Sequence, residues 1–101
     1  MTDTLVQNIG GLLSGAQRLA RQAYAEYSSE VDSVINEQSS DPKRIERLLD
    51  GILDFCFDPE MLHLYKKLCR YYFAIDPEAT VSYVNFYRDM WGDDGKETEN
   101  I

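Results

Sequence analysis

The sequence predicts an all-α fold, a small four-helix domain, and three observations carry that expectation. All three prolines follow aspartate, at Asp41-Pro42, Asp58-Pro59 and Asp76-Pro77. Each pair opens a stretch of about 15 residues whose apolar positions recur with helical period. The segment before them, from Leu5 to Ile35, keeps apolar residues 3 or 4 apart. An N-cap Asp accepts from the free N-H groups of a first helical turn, and Pro at N1 has a preset φ where its missing N-H costs nothing. The pattern predicts one helical domain over residues 1–91, with helices over about 3–37, 42–56, 59–74 and 77–91, and a disordered acidic tail over 92–101.

In the first segment Leu5, Ile9, Leu12, Ala16, Leu19 and Ala23 alternate by 4 and 3, and the stripe continues through Tyr27, Val31 and Val34 or Ile35. A straight helix of this length spans about 50 Å. A compact domain of this size is only about 33 Å across. Either the helix breaks, with Gly10-Gly11 and Ser28-Ser29 as weak points, or its end projects and pairs with another chain. Gly11 and Gly15, four apart beside Ala16, would admit a second helix closely, which makes a homodimer through this helix an open alternative. A kinked helix lying across the others is the expected arrangement.

The second helix places Ile45, Leu48, Leu49, Ile52, Leu53, Phe55 and Cys56 on one stripe. Phe57 precedes the cap Asp58 and is placed to pack on Leu62 as a hydrophobic staple. The connection is two or three residues long, so these helices form a tight hairpin. The third helix places Met61, Leu64, Tyr65, Leu68, Cys69 and Tyr72 together. On the fourth, Thr80, Val81, Val84, Phe86, Tyr87, Met90 and Trp91 take most of the circumference, leaving a solvent stripe of Glu78, Ser82, Asn85 and Asp89. Gly92 ends it.

The 101 residues carry 18 acids and 10 bases, a net charge of -8. The imbalance lies at the ends, with 5 acids to 2 bases over residues 1–40 and 7 to 2 over 76–101. A chain this acidic is repelled by nucleic acid and by anionic membranes. No apolar run approaches membrane-spanning length and no secretory leader precedes Leu5, so a cytoplasmic location is expected. Cys56 and Cys69 fall on apolar helical positions, far apart in the expected hairpin, and no disulfide is expected between them.

Candidate chemistry is sparse. Glu60 and His63 have the Glu-x-x-His spacing of helical dimetal sites, but the chain has a single histidine and no matching second motif. No metal and no cofactor are expected. Glu46, Asp50 and Asp54 form an i+4 ladder, and with Lys43, Arg44 and Arg47 on the same helix it reads as a salt-bridged, solvated face. No phosphate loop, zinc pair, nucleophile elbow or Cys-His pair can be assembled, and an enzyme is not expected.

Ten of the 12 aromatic residues lie between Phe55 and Trp91. The core can take Phe55, Tyr65, Phe73, Phe86 and Tyr87. Tyr71, Tyr72, Tyr83 and Trp91 are then interface candidates, since Tyr and Trp serve as anchors in protein contacts. Glu26, Glu30, Asp32 and Glu37, with Asp89, Asp93 and Asp94, are acidic-surface candidates that would imitate a run of phosphates. The alternative is a helix-turn-helix regulator using Lys66, Lys67 and Arg70 on the third helix as DNA contacts. The absence of any other basic stripe argues against it.

Residues 45–91, through IERLLDGILDF at Ile45 to Phe55, LYKKLCRYY at Leu64 to Tyr72, and Ile75-Asp76-Pro77 continuing to Tyr87-Arg88-Asp89-Met90-Trp91, resemble small uncharacterised helical accessory proteins encoded on bacterial mobile elements. The resemblance implies a regulator or inhibitor acting on defence or transfer machinery, CRISPR nucleases included. Together these readings give a non-enzymatic module that binds another protein, one with a basic nucleic-acid-binding groove being the partner of choice.

Overall fold

The computed structural model describes the backbone of residues 2–92 and the side chains of residues 14–92. Four helices follow in order: α1 (Thr2–Asn36), α2 (Pro42–Leu53), α3 (Pro59–Phe73) and α4 (Pro77–Met90). The described residues contain no strand. Residues 93–101 of the tail expected over 92–101 lie outside the described residues, Asp93 and Asp94 among them.

The three Asp-Pro pairs act as the sequence implies. Asp41 accepts from the Lys43 N-H at 3.1 Å, Asp58 from Met61 at 3.1 Å and Asp76 from Ala79 at 3.1 Å, with proline at the start of each helix. The far end of α2 falls short of the expected residue 56. Phe55 N-H bonds to the Ile52 carbonyl and Cys56 N-H to the Leu53 carbonyl, so the chain tightens into i to i+3 turns before Asp58.

Helix α1 is unbroken over 35 residues, through both Gly10-Gly11 and Ser28-Ser29, and the expected kink is absent. Tyr24 and Tyr27 on one side of Ser28-Ser29 and Val31 and Val34 on the other pack on the same core, which holds the axis straight there. The molecule measures 54 × 29 × 19 Å, and its long dimension matches the length of α1 at 1.5 Å per residue. The helix ends in a Schellman turn: Ser39 N-H bonds to Val34 at 3.0 Å and Gln38 N-H to Ile35 at 3.1 Å. Gln38 sits at the left-handed position with φ 55°, where glycine is usual.

Helix α3 is central, packing on each of the other three. It buries Met61, Leu64, Tyr65, Leu68, Cys69 and Tyr72 against Ile45, Leu48, Leu49, Ile52 and Leu53 of α2 and Val31 and Val34 of α1. Helix α4 contributes less, burying only Thr80, Tyr83 and Tyr87. Gly51 lets α1 and α2 approach closely, since a Cβ there would meet the Tyr27 ring, with Cζ at 2.7 Å and Cε1 at 2.9 Å.

Candidate interaction surface

Tyr65, Tyr72, Tyr83 and Tyr87 are buried while Phe57, Phe73 and Phe86 are exposed, which reverses part of the expected sorting. Tyr72 has no exposed surface and Tyr83 very little, so neither is an interface anchor. Phe73 and Phe86, expected in the core, are 54% and 48% exposed. The reason lies in the polar tips. A phenol can be buried when its hydroxyl finds an acceptor, and Tyr65, Tyr72 and Tyr83 each have one.

Tyr65 donates to the Tyr83 carbonyl at 2.6 Å, joining α3 to α4. Tyr72 donates to Glu46 at 2.5 Å, joining α3 to α2, and Tyr83 donates to Asp50 at 2.9 Å, joining α4 to α2. Tyr71, half-buried, donates to the Ser39 carbonyl at 2.6 Å and fastens α3 to the turn after α1. Trp91 donates its indole N-H to the Leu53 carbonyl at 2.8 Å, while its ring remains 40% exposed. Phe73 has no such tip and follows Tyr72 by a rotation of about 100°, so it faces out.

Two members of the carboxylate ladder, Glu46 and Asp50, are therefore acceptors for phenols, while Asp54 is exposed. The expected salt-bridged face does not form there: Arg44 pairs instead with Glu37, through two nitrogen-oxygen contacts of 3.1 and 3.2 Å. That ion pair holds the Glu37 carboxyl below its ordinary range and raises the Arg44 guanidinium. Burial, followed by the hydrogen bonds to Glu46 and Asp50, raises the Tyr72 and Tyr83 phenols. Burial pushes the free thiols of Cys56 and Cys69 up to about 12, which makes them unreactive near neutrality.

Of the acidic candidates, Glu26, Glu30, Asp32, Glu37 and Asp89 are all exposed. Asp32 binds Lys67 of α3 at 3.0 Å, and Glu37 is held by Arg44, so two of the five are partly neutralised. The same ion pair occupies Lys67, leaving exposed Arg70 and half-buried Lys66 from the basic trio. Glu60 and His63 are exposed, and no metal-holding cluster of His, Cys, Asp or Glu occurs among the described residues.

Val81, Phe86 and Met90 of α4, together with Phe73, Ile75, Phe57 and Trp91, are the exposed apolar residues at this end of the molecule. Phe57 lies between Phe55 and Trp91, at ring separations of 6.3 and 5.9 Å, and with Leu62 lines a shallow groove. Phe86 stacks edge-on against Tyr83 at 5.3 Å, and the Tyr83 phenol reaches Asp50. Met90 follows Phe86 by one turn. At 100° per residue, this apolar strip lies between the exposed stripe of Glu78, Ser82, Asn85 and Asp89 and the core-facing Tyr83. An exposed apolar strip with carboxylates on both flanks suits a partner surface that is apolar and cationic together. The signal available in the sequence was the pairing of tyrosines with the i+4 acids of α2, which would have moved Phe86 outward.

Comparison with known proteins finds no match: no family model, no curated protein and no solved structure. No described helix is long and apolar enough to cross a membrane.

Proposed function

We propose that this protein is a non-enzymatic binding module that acts on another protein, using the Phe86 and Met90 strip of α4 and the carboxylates around it. The partner chemistry is a basic surface with apolar content, such as the nucleic-acid-binding groove of a protein that handles DNA or RNA. The observation that carries this reading is the exposure of Phe86 and Met90, 48% and 51%, directly beside the Tyr83–Asp50 contact. Large apolar side chains held open next to exposed carboxylates are costly to solubility unless they are used. Regulation or inhibition of that partner follows, because an acidic body seated in a basic groove excludes nucleic acid. The projecting half of α1 offers a second surface, where another copy of the chain would pair.

The test is capture on immobilised wild-type protein and on a Phe86→Glu, Met90→Glu double variant, at low and high salt, with partners identified by mass spectrometry. A nucleic-acid-binding protein held by the wild type, released by salt and lost from the folded variant is the expected result. Retention that ignores both salt and the variant overturns the reading.

A further inference from the structure

Three helix ends meet around Trp91. Helix α2 stops at Leu53, α3 starts at Pro59, and α4 stops at Met90 with Trp91 as its C-cap. The indole N-H of Trp91 bonds to the Leu53 carbonyl at 2.8 Å, so the ring is held in one orientation over the end of α2. Phe57, the residue before the Asp58 cap, stands against it at a ring separation of 5.9 Å and an interplanar angle of 54°. The two rings do not stack flat, and both stay open to solvent, Phe57 at 44% and Trp91 at 40%. With Pro59, Leu62 and the buried Tyr87 and Cys56 they line a groove of about 290 Å³. That volume is at the lower limit for a small-molecule pocket and ample for one long side chain.

We propose that this groove receives the guanidinium of an arginine carried by a partner protein. Charge favours a cation there. The segment from Asp54 to Glu60 holds three carboxylates, Asp54, Asp58 and Glu60, and no Lys or Arg. Asp58 caps α3 through the Met61 N-H. Asp54 follows Leu53, to which Trp91 is bonded, and Glu60 follows Pro59; both are exposed. The carbonyl ends of α2 and α4 add about half a negative charge each. No basic residue stands in the last turn of α2 to offset it, and the last turn of α4 has Arg88 alone. The amino end of α3 carries the opposite sign, which Asp58 at its cap and Glu60 in its first turn offset. Ring chemistry then favours guanidinium over ammonium. A planar, weakly hydrated guanidinium stacks on an aromatic face and keeps its N-H groups at the edge for carboxylates, whereas an ammonium holds its water. Trp is the strongest aromatic partner for such a contact. This site shares no residue with the Phe86 and Met90 strip and does not depend on it. It adds to the reading of a binding module a specific contact with one basic side chain.

Trp91 is the single tryptophan of the chain, so its fluorescence reports the groove directly. The probes are the peptide Ac-Gly-Arg-Gly-NH2, its neutral citrulline counterpart of the same shape, and the lysine counterpart, each titrated at millimolar concentration into the full chain. The arginine peptide is expected to give a saturable change in Trp91 emission that weakens as salt rises, the lysine peptide a weaker one, and the citrulline peptide none. An Asp54→Asn, Glu60→Gln double variant alters two exposed side chains and no core contact. It is expected to keep its helical circular-dichroism spectrum and to bind the arginine peptide about fivefold more weakly. A Phe86→Glu, Met90→Glu variant is expected to bind that peptide as the wild type does, so a failed capture experiment on the α4 strip leaves this site standing. Absence of saturation, equal binding of the citrulline or lysine peptide, or indifference to the Asp54 and Glu60 exchange overturns the proposal. Loss of peptide binding in the Phe86, Met90 variant overturns the separateness of the site.

Discussion

The Tyr72 phenol, fully buried on α3, donates to the Glu46 carboxylate of α2, and the two groups do not depend equally on the contact. Glu46 is only partly buried and can turn to water. The Tyr72 hydroxyl cannot. Glu46→Ala is therefore expected to cost about 1–3 kcal/mol, the range for stranding a buried polar group, and Tyr72→Phe about 1 kcal/mol or less. Urea unfolding of the two variants measures the difference, and equal costs would contradict the asymmetry.

Gln38 pays for its φ of 55° in the turn after α1. Glycine adopts that conformation without a Cβ clash, so Gln38→Gly is expected to stabilise the fold by about 0.5–1 kcal/mol. Gln38→Val at the same site is expected to destabilise it. Thermal unfolding of both variants reads the opposite signs.

At Gly51, helix propensity and packing pull in opposite directions. Alanine would favour an isolated α2 by about 1 kcal/mol. Its Cβ would press on the Tyr27 ring, and Gly51→Ala is expected to destabilise the protein by about 1–3 kcal/mol. In a Tyr27→Ala background the same substitution is expected to become neutral or stabilising. A double-mutant cycle in denaturant checks the change of sign.

Alkaline pH should unfold the protein steeply. The phenols of Tyr65, Tyr72 and Tyr83 are raised above their ordinary value of 10.0, mainly by burial, so above pH 10 the folded state keeps protons that the unfolded state has lost. Their contribution is complete below pH 10 and declines as pH rises beyond it, with a slope that steepens toward a limit of about 4 kcal/mol per pH unit for the three together once all are ionised in the unfolded chain. Cys56 and Cys69, raised from 9.0 to about 12, add to the loss from pH 9 upward. Unfolding midpoints measured from pH 7 to 11 are expected to be flat at first and then to fall sharply. A level profile through pH 11 would contradict the buried phenols.

The four helices could be read from Asp41-Pro42, Asp58-Pro59 and Asp76-Pro77 because capping is local chemistry, settled within one turn. The core faces of α2 and α3 could be read for a related reason: Ile45, Leu48, Leu49 and Ile52, and Met61, Leu64, Leu68 and Cys69, lie on arcs that only one side of a helix can bury. The sorting of rings could not be read this way. Tyr72 and Phe73 are adjacent and both suit a core, and the choice depends on whether an acceptor on another helix waits at the end of a phenol. Glu46 and Asp50 are those acceptors, and their role exists only once α2, α3 and α4 have docked. The length of α1 was legible, while its straightness was not, because compactness was the competing expectation. The continuous packing of Tyr24, Tyr27, Val31 and Val34 decided against a break.

Helix α4 is joined to the rest chiefly through α3, with three buried side chains and the tips of Tyr83 and Trp91 as its cross-links to α2. That sets an order of opening. The amides of α4 should exchange with solvent before those of α3, whose inner face is covered on every side, so native-state hydrogen exchange should divide the molecule into an early and a late unit. The helix that carries Phe86 and Met90 is then also the one that lifts away most readily, and a partner seated across it and α2 would slow its exchange before altering that of any other helix.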